Sequence, residues 1–151
     1  MKDEYEKVRK KYNLPLFEEI DNELDISSIE KPVRLLRQLR HLATERIKLF
    51  SDVLNVVLHP DTGVFCDWYE CSSFSDEERA QILGFYKRLM IVQRSLLDAE
   101  IACDERLDAD TLKLAFETLQ SMKQDMRSVV TKMKGIWTRP AEPKELLGYL
   151  G

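Results

Sequence analysis

The sequence predicts an all-α protein, an up-down helical bundle of three long antiparallel helices plus one or two short N-terminal helices. Apolar residues recur at helical spacing along three long segments, and no segment alternates apolar and polar residues over the length of a strand. Turn-forming residues are sparse, with no Gly before Gly63 and no Pro between Pro60 and Pro140. Long uninterrupted helices with short connections favour the up-down arrangement.

The N-terminal region is expected to form two short helices. The first covers residues 2–12, and the second lies within "NLPLFEEIDNELDI", where Pro15 can sit in the first helical turn. Their apolar stripes are Tyr5, Val8 and Tyr12 in the first helix and Phe17, Ile20 and Leu24 in the second. Three long helices can leave one seam open, and either these short helices or another subunit of a homo-oligomer could cover it.

The first long helix is predicted over residues 29–57, roughly 30 residues and about 45 Å. Ser27 and Glu30 have capping-box spacing, with Pro32 inside the first turn, and Pro60 stops the helix. A second apolar row widens its stripe and consists of Leu35, Leu42, Leu49, Val53 and Val56.

The second long helix is predicted to open at a capping box, residues 75–78, and to reach about Cys103. The segment "DERLDAD" then connects it to the third long helix, with Asp108 or Asp110 as the N-cap. Gly135 is placed to end the third helix.

Charge alternates along the chain in blocks of helical length. Residues 31–48 hold six cations and one acid, a net charge of +5, whereas residues 98–110 hold six acids and one arginine, a net charge of −5. An up-down bundle brings these segments side by side, and acids at a helix C-terminus oppose the helix dipole unless a cation lies near. Most of the alternation is therefore interpreted as complementarity within the molecule.

The basic segment "KPVRLLRQLRHLATERIK" is also a candidate binding surface. Arg34, Arg37 and Arg40 lie close together on the predicted helix, and such a row can contact phosphates. A solvated or internally paired face explains the same run. The chain has a net charge of −4 and no Gly-rich phosphate loop, which does not indicate a general nucleic-acid binder.

The segment "HPDTGVFCDWYECSSFSDEER" raises the question of a metal or catalytic centre. His59, Cys66 and Cys71 could ligate zinc, but the Cys-x4-Cys spacing has no second pair downstream. A Cys–His nucleophile pair has no oxyanion hole nearby in sequence. We therefore expect no metal, no cofactor and no catalytic residues.

The same segment is rich in aromatic residues. Four of the thirteen aromatic residues in the chain fall within ten positions, namely Phe65, Trp68, Tyr69 and Phe74. A connection this apolar is expected to fold over the end of the bundle and pack there. If part of it stays exposed, Trp68 and Tyr69 would form a docking patch.

The domain boundary is predicted after residue 137, which leaves residues 138–151 as a proline-containing tail. Its apolar residues are Leu146, Leu147, Tyr149 and Leu150. This tail is expected either to dock on the bundle or to insert into a partner as a short linear motif.

The segments "RKKYNLPLFEEIDNELDIS" and "FSDEERAQILGFYKRLM" resemble small all-helical archaeal proteins of uncharacterised function. The resemblance implies a cytoplasmic helical protein and transfers no functional residues. No apolar run approaches the ~18 residues that cross a bilayer, and the highly charged N-terminus is not typical of a signal peptide.

Together these features predict a non-enzymatic binding or adaptor protein in a larger cytoplasmic assembly, with a protein partner. The alternative is a nucleic-acid or ribonucleoprotein accessory factor that uses the basic face of residues 31–48.

Overall fold

The computed structural model describes residues 1–140, which contain six α-helices, one 3-10 turn and no β-strand. The helices are α1 (Lys2–Tyr12), α2 (Phe17–Leu24), α3 (Leu35–Leu58), α4 (Phe65–Cys71), α5 (Asp76–Ala102) and α6 (Glu105–Ile136). α3, α5 and α6 pack against one another, which confirms the predicted all-α bundle. No helix among these residues is both long enough and apolar enough to cross a membrane.

The hydrophobic core lies along the axis of the three long helices. Each helix turns one apolar stripe inward, as the 3.6-residue period requires. Fully buried members of these stripes are Leu39, Ala43, Ile47 and Leu54 from α3, Leu89 from α5, and Leu112, Ala115, Leu119 and Met122 from α6.

The two N-terminal helices lie over the groove between the first halves of α3 and α6. α1 contacts both long helices, and α2 contacts α3. Tyr5 of α1 is fully buried, and its hydroxyl donates a hydrogen bond to the carbonyl of Pro15 at 2.8 Å. Lys113 of α6 donates to the carbonyl of Tyr12 at 3.3 Å. The short helices therefore cover this part of the seam, as one of the two sequence interpretations expected.

The prediction for the start of α3 is wrong, because the helix begins at Leu35 and not near residue 29. The backbone N–H of Ser27 donates to the Asp21 carboxylate at 2.7 Å, so this segment belongs to a 3-10 turn after α2. Pro32 disfavours helical backbone in the residue before it. Arg34, at the N-cap of α3, has a left-handed backbone with φ 52°.

The predicted start of α5 is confirmed by its capping box. The backbone N–H of Glu78 donates to the Ser75 hydroxyl at 3.2 Å, and the N–H of Ser75 donates to the Glu78 carboxylate at 2.8 Å. At the end of the third long helix, α6 continues one residue past Gly135 to Ile136.

The connection between α5 and α6 is shorter than predicted. It consists of Cys103, whose left-handed backbone (φ 53°) ends α5, and Asp104, the N-cap of α6. The Asp104 carboxylate accepts a hydrogen bond from the N–H of Leu107 at 2.8 Å. The assignment of Asp108 or Asp110 as N-cap is therefore wrong, and both lie inside α6.

Candidate functional site

The predicted basic surface is interrupted at its third arginine. Arg34 is exposed at the N-cap of α3 and Arg37 is partly exposed, but only 1% of Arg40 is accessible to solvent. Arg40 points into the bundle, so the expectation that it belongs to a surface row is wrong. The sequence did not reveal this burial, because arginine is mostly exposed in proteins and is assigned to the surface by default.

Arg40 is the centre of an ionic cluster that joins the three long helices. Its Nε lies 2.9 Å from Oδ1 of Asp108 on α6. The Nε–H bond does not point at this oxygen, so the contact is an ion pair and not a hydrogen bond. Its Nη2 forms an ion pair with Glu100 on α5, and Nη1 donates to the carbonyl of Leu96 at 3.5 Å. Burial raises the pKa of the Asp108 carboxyl. The predicted meeting of the basic and acidic segments is confirmed here.

Arg34 and Arg37 line a cleft of about 510 Å³ beside this cluster. Glu105 and Asp108 line the same cleft, so the two cations share it with two acids. A polyanion would meet both signs of charge at this place, which weakens the electrostatic attraction that phosphate binding depends on.

The aromatic segment forms the short helix α4, where the sequence predicted a packed loop, and it covers the ends of α3 and α6. The ring of Tyr69 is buried, with its centroid 5.2 Å from that of Phe65 and 5.0 Å from that of Trp137. Nε1 of Trp137 donates to the Glu70 carboxylate at 2.7 Å. Trp68 is half-buried beside Phe65. The packing over the bundle end is confirmed. Because Tyr69 is buried, it is not part of an exposed docking patch, and docking through Trp68 stays a prediction.

The two cysteines of this segment have different surroundings. Cys71 is buried, and its thiol donates to the carbonyl of Val57 at 3.2 Å, whereas Cys66 is exposed. The limited desolvation of this exposed thiol and the neighbouring acid Glu70 raise the pKa of Cys66, which lowers its thiolate fraction at neutral pH. Among residues 1–140, no three His, Cys, Asp or Glu side chains are arranged to hold a metal ion.

An open apolar groove lies between α3 and α6, beyond the part that α1 and α2 cover. Its volume is about 530 Å³. Phe50 and Met126 form a buried floor, while Leu49 and Val130 stand at its sides with 51% and 46% of their surface exposed. We call this feature the α3/α6 groove; its lining is completed by Arg46, Val53, Lys123, Arg127 and Thr131.

Three cations stand around the α3/α6 groove. Arg46 and Lys123 form ion pairs with the buried Glu23 of α2, at 3.2 Å and 2.8 Å. The guanidinium of Arg46 also lies 5.6 Å from the centroid of the Phe50 ring. Arg127 forms no ion pair within the described part of the chain. The groove therefore combines an apolar floor with one cation that has no acidic partner in residues 1–140.

Sequence reasoning did not single out this groove, although a signal was present. The second apolar row of α3 includes Leu49 and Val53, and a stripe this wide exceeds what one neighbouring helix can cover. The predicted tail residues, Leu146, Leu147, Tyr149 and Leu150, lie outside the described residues.

Comparison with known proteins finds no matching family model, no similar characterised protein and no matching solved structure.

Proposed function

We propose that this protein is a non-enzymatic binding or adaptor protein of a cytoplasmic assembly, and that the α3/α6 groove receives a helical segment of a partner protein. The observation that carries the proposal is an exposed apolar groove between two long helices, with cations around it. Apolar surface of this kind on a rigid support is typical of helix-in-groove recognition.

The dimensions of the groove suit a short amphipathic helix. From Arg46 to Val53 the groove follows α3 for roughly 10 Å, which is about two helical turns. A partner helix would place apolar side chains at positions i, i+3 or i+4, and i+7 along this length. Leu49 and Val130 would contact these side chains from opposite walls, above the floor formed by Phe50 and Met126.

The charges around the groove define the partner further. Arg46 and Lys123 already share an ion pair with Glu23, whereas Arg127 has no acidic partner among residues 1–140 and can meet an acidic side chain of the partner. Such a contact at the rim would contribute more to specificity and association rate than to affinity, and salt would weaken it. The partner segment is therefore expected to have an apolar face flanked by Asp or Glu.

The nucleic-acid alternative has less support. Arg40 is buried in an ion-paired cluster, and the nearby Arg34 and Arg37 share their cleft with two acids. A phosphate-binding surface needs several cations that are free to replace counterions. This alternative becomes one outcome of the test.

The test is site-specific photo-crosslinking in native cells, followed by mass spectrometry. A photoreactive amino acid replaces Leu49 or Val130 in turn, and Leu114, an exposed apolar residue of α6 that does not line the groove, serves as the matched control position. We expect the same partner segment to be captured from both groove positions and not from the control. A synthetic peptide of that segment should bind the purified protein, and Arg127→Glu should weaken this binding about tenfold.

Three results would count against the proposal. They are crosslinks that do not depend on position, a captured segment without an acidic amphipathic pattern, and a peptide affinity that Arg127→Glu leaves unchanged. Crosslinks to nucleic acid that nuclease treatment removes would favour the alternative function.

A further inference from the structure

Helix α5 carries large hydrophobic residues on both its inner and its outer face. Its inner face packs in the core through Ile82, Leu89, Val92, Leu96 and Ala99. Its outer side carries four of the eleven large hydrophobic residues that are exposed among residues 1–140, namely Leu83, Ile91, Leu97 and Ile101. Ile91 and Ile101 are 65% and 74% exposed.

This distribution is unusual for a helix at the surface. A surface helix normally has one apolar stripe and a polar opposite face, whereas a helix that is apolar all round is normally buried. α1 and α2 lie over α3 and α6 and leave the outer side of α5 uncovered. The outer face of α5 therefore has the composition of an interface. The spacing of its residues along the helix indicates which molecule would pack there.

Two pairs of residues on the outer face are arranged symmetrically about residues 92 and 93, slightly beyond the middle of the helix. Leu83 and Ile101 are 18 residues apart, which is five turns at 3.6 residues per turn, so they share one side of the helix. Lys87 and Asp98 are 11 residues apart, about three turns, and share a neighbouring row. The first pair is centred at residue 92, and the second is centred between residues 92 and 93.

We propose that a second copy of this chain packs on the outer face of α5, antiparallel to the first, about a two-fold axis near residues 92 and 93. In this arrangement Leu83 of each copy opposes Ile101 of the other, and Met90 of one copy lies about 3–4.5 Å from Leu97 of the other, measured along the helix axis. A two-fold axis repeats every such contact, so one self-complementary face is sufficient for a closed dimer.

Charge supports the antiparallel direction. Lys87 of each copy would oppose Asp98 of the other, and neither forms an ion pair within the described residues of its own chain. A parallel arrangement would instead bring Lys87 next to Lys87 and Asp98 next to Asp98, which is unfavourable. Arg94 would extend its aliphatic stem over Ile91 of the other copy and keep its guanidinium in water.

Sedimentation velocity of the purified full chain over a range of concentrations tests the dimer. We expect wild type to form dimers, and we expect Lys87→Asp and Asp98→Lys each to weaken dimerisation at least tenfold by opposing like charges. An equimolar mixture of the two variants should recover the dimer. In the mixed dimer, the aspartate introduced at position 87 of one chain faces the lysine introduced at position 98 of the other. Leu97→Glu should abolish the dimer, while Leu114→Glu on α6, the matched exposed control, should leave it intact.

The charge exchange distinguishes this interface from general effects on folding, since a misfolded variant would not be rescued by a second variant. A wild-type protein that stays monomeric at all accessible concentrations overturns the proposal. A dimer that all the α5 variants leave unchanged overturns it as well, because the contact would then lie elsewhere. Neither outcome depends on the α3/α6 groove, so this inference is independent of the proposed function.

Discussion

The two ends of the bundle are stabilised by different interactions. At one end, which we call the ionic end, Arg40 joins Asp108 and Glu100 where α3, α5 and α6 meet. At the other, the aromatic end, α4 packs the rings of Phe65 and Tyr69 against Trp137, the C-cap residue of α6. Buried charge thus joins the three long helices at one end, whereas at the other end the ring packing of α4 covers the ends of α3 and α6.

This difference separates two kinds of stabilisation. A buried ion pair adds little net stability compared with apolar residues of the same size, because its attraction is offset by desolvation, yet losing one partner is very unfavourable. Ring packing contributes through buried area and contact, without a desolvated charge. The ionic end should therefore be the more sensitive to single substitutions.

The largest effect is expected from Arg40→Ala. It would leave the buried carboxylate of Asp108 without its cation and lower the free energy of unfolding by about 3–5 kcal/mol. Urea denaturation measures this change, with Arg37→Ala as the matched control on the same helix, expected within about 0.5 kcal/mol of wild type. The double variant Arg40→Met with Asp108→Leu should recover most of the loss. Similar effects for Arg37→Ala and Arg40→Ala would mean that the ionic end has no special sensitivity.

A smaller effect is expected at the aromatic end from Tyr69→Ala. Removing this buried ring deletes its contacts with Phe65 and Trp137 and should lower the free energy of unfolding by about 2–3 kcal/mol, below the usual value for a core aromatic residue because α4 is short and can close over the space. Urea denaturation again measures the loss, and Tyr69→Phe, which keeps the ring, is the control. A loss larger than that of Arg40→Ala would reverse the comparison.

Much of the fold could be predicted from the sequence because apolar periodicity, helix caps and turn-forming residues act within a few residues. The Ser75 capping box is a local signal, and the structure forms it. The pair Ser27 and Glu30 has the same spacing, but the N–H of Ser27 donates its hydrogen bond to the Asp21 carboxylate, in a different turn. A motif read from one segment cannot include such a competing partner from the preceding helix.

The candidate site was less predictable because it depends on which helix faces which. Charge blocks correctly indicated that the basic segment meets the acidic one, but they could not show that Arg40 alone turns inward while Arg34 and Arg37 do not. The α3/α6 groove is likewise set by where α2 ends and α4 begins to cover the long helices. Such coverage is a tertiary property that no single helix encodes.

Two carboxyl groups, one at each end of the bundle, should change the pH dependence of the unfolding free energy in opposite directions. At the ionic end, burial raises the pKa of the Asp108 carboxyl above its usual value of 3.8. The ionised carboxylate therefore lowers the stability of the folded state above the raised pKa, and this cost disappears as the pH falls through the raised pKa. At the aromatic end, hydrogen bonds from Lys132 lower the pKa of Glu78 below 4.5, so its contribution is present above 4.5 and is lost as the pH falls through the lowered pKa.

Unfolding free energies between about pH 3 and pH 6, compared with those of Asp108→Asn and Glu78→Gln, separate the two groups. The stability of wild type relative to Asp108→Asn should decrease as the pH rises, because the folded state holds the Asp108 proton more tightly than the unfolded chain does. Relative to Glu78→Gln it should increase, because the folded state holds that proton less tightly. If both differences in unfolding free energy changed with pH in the same direction, the electrostatic difference that we predict between the two ends would be wrong.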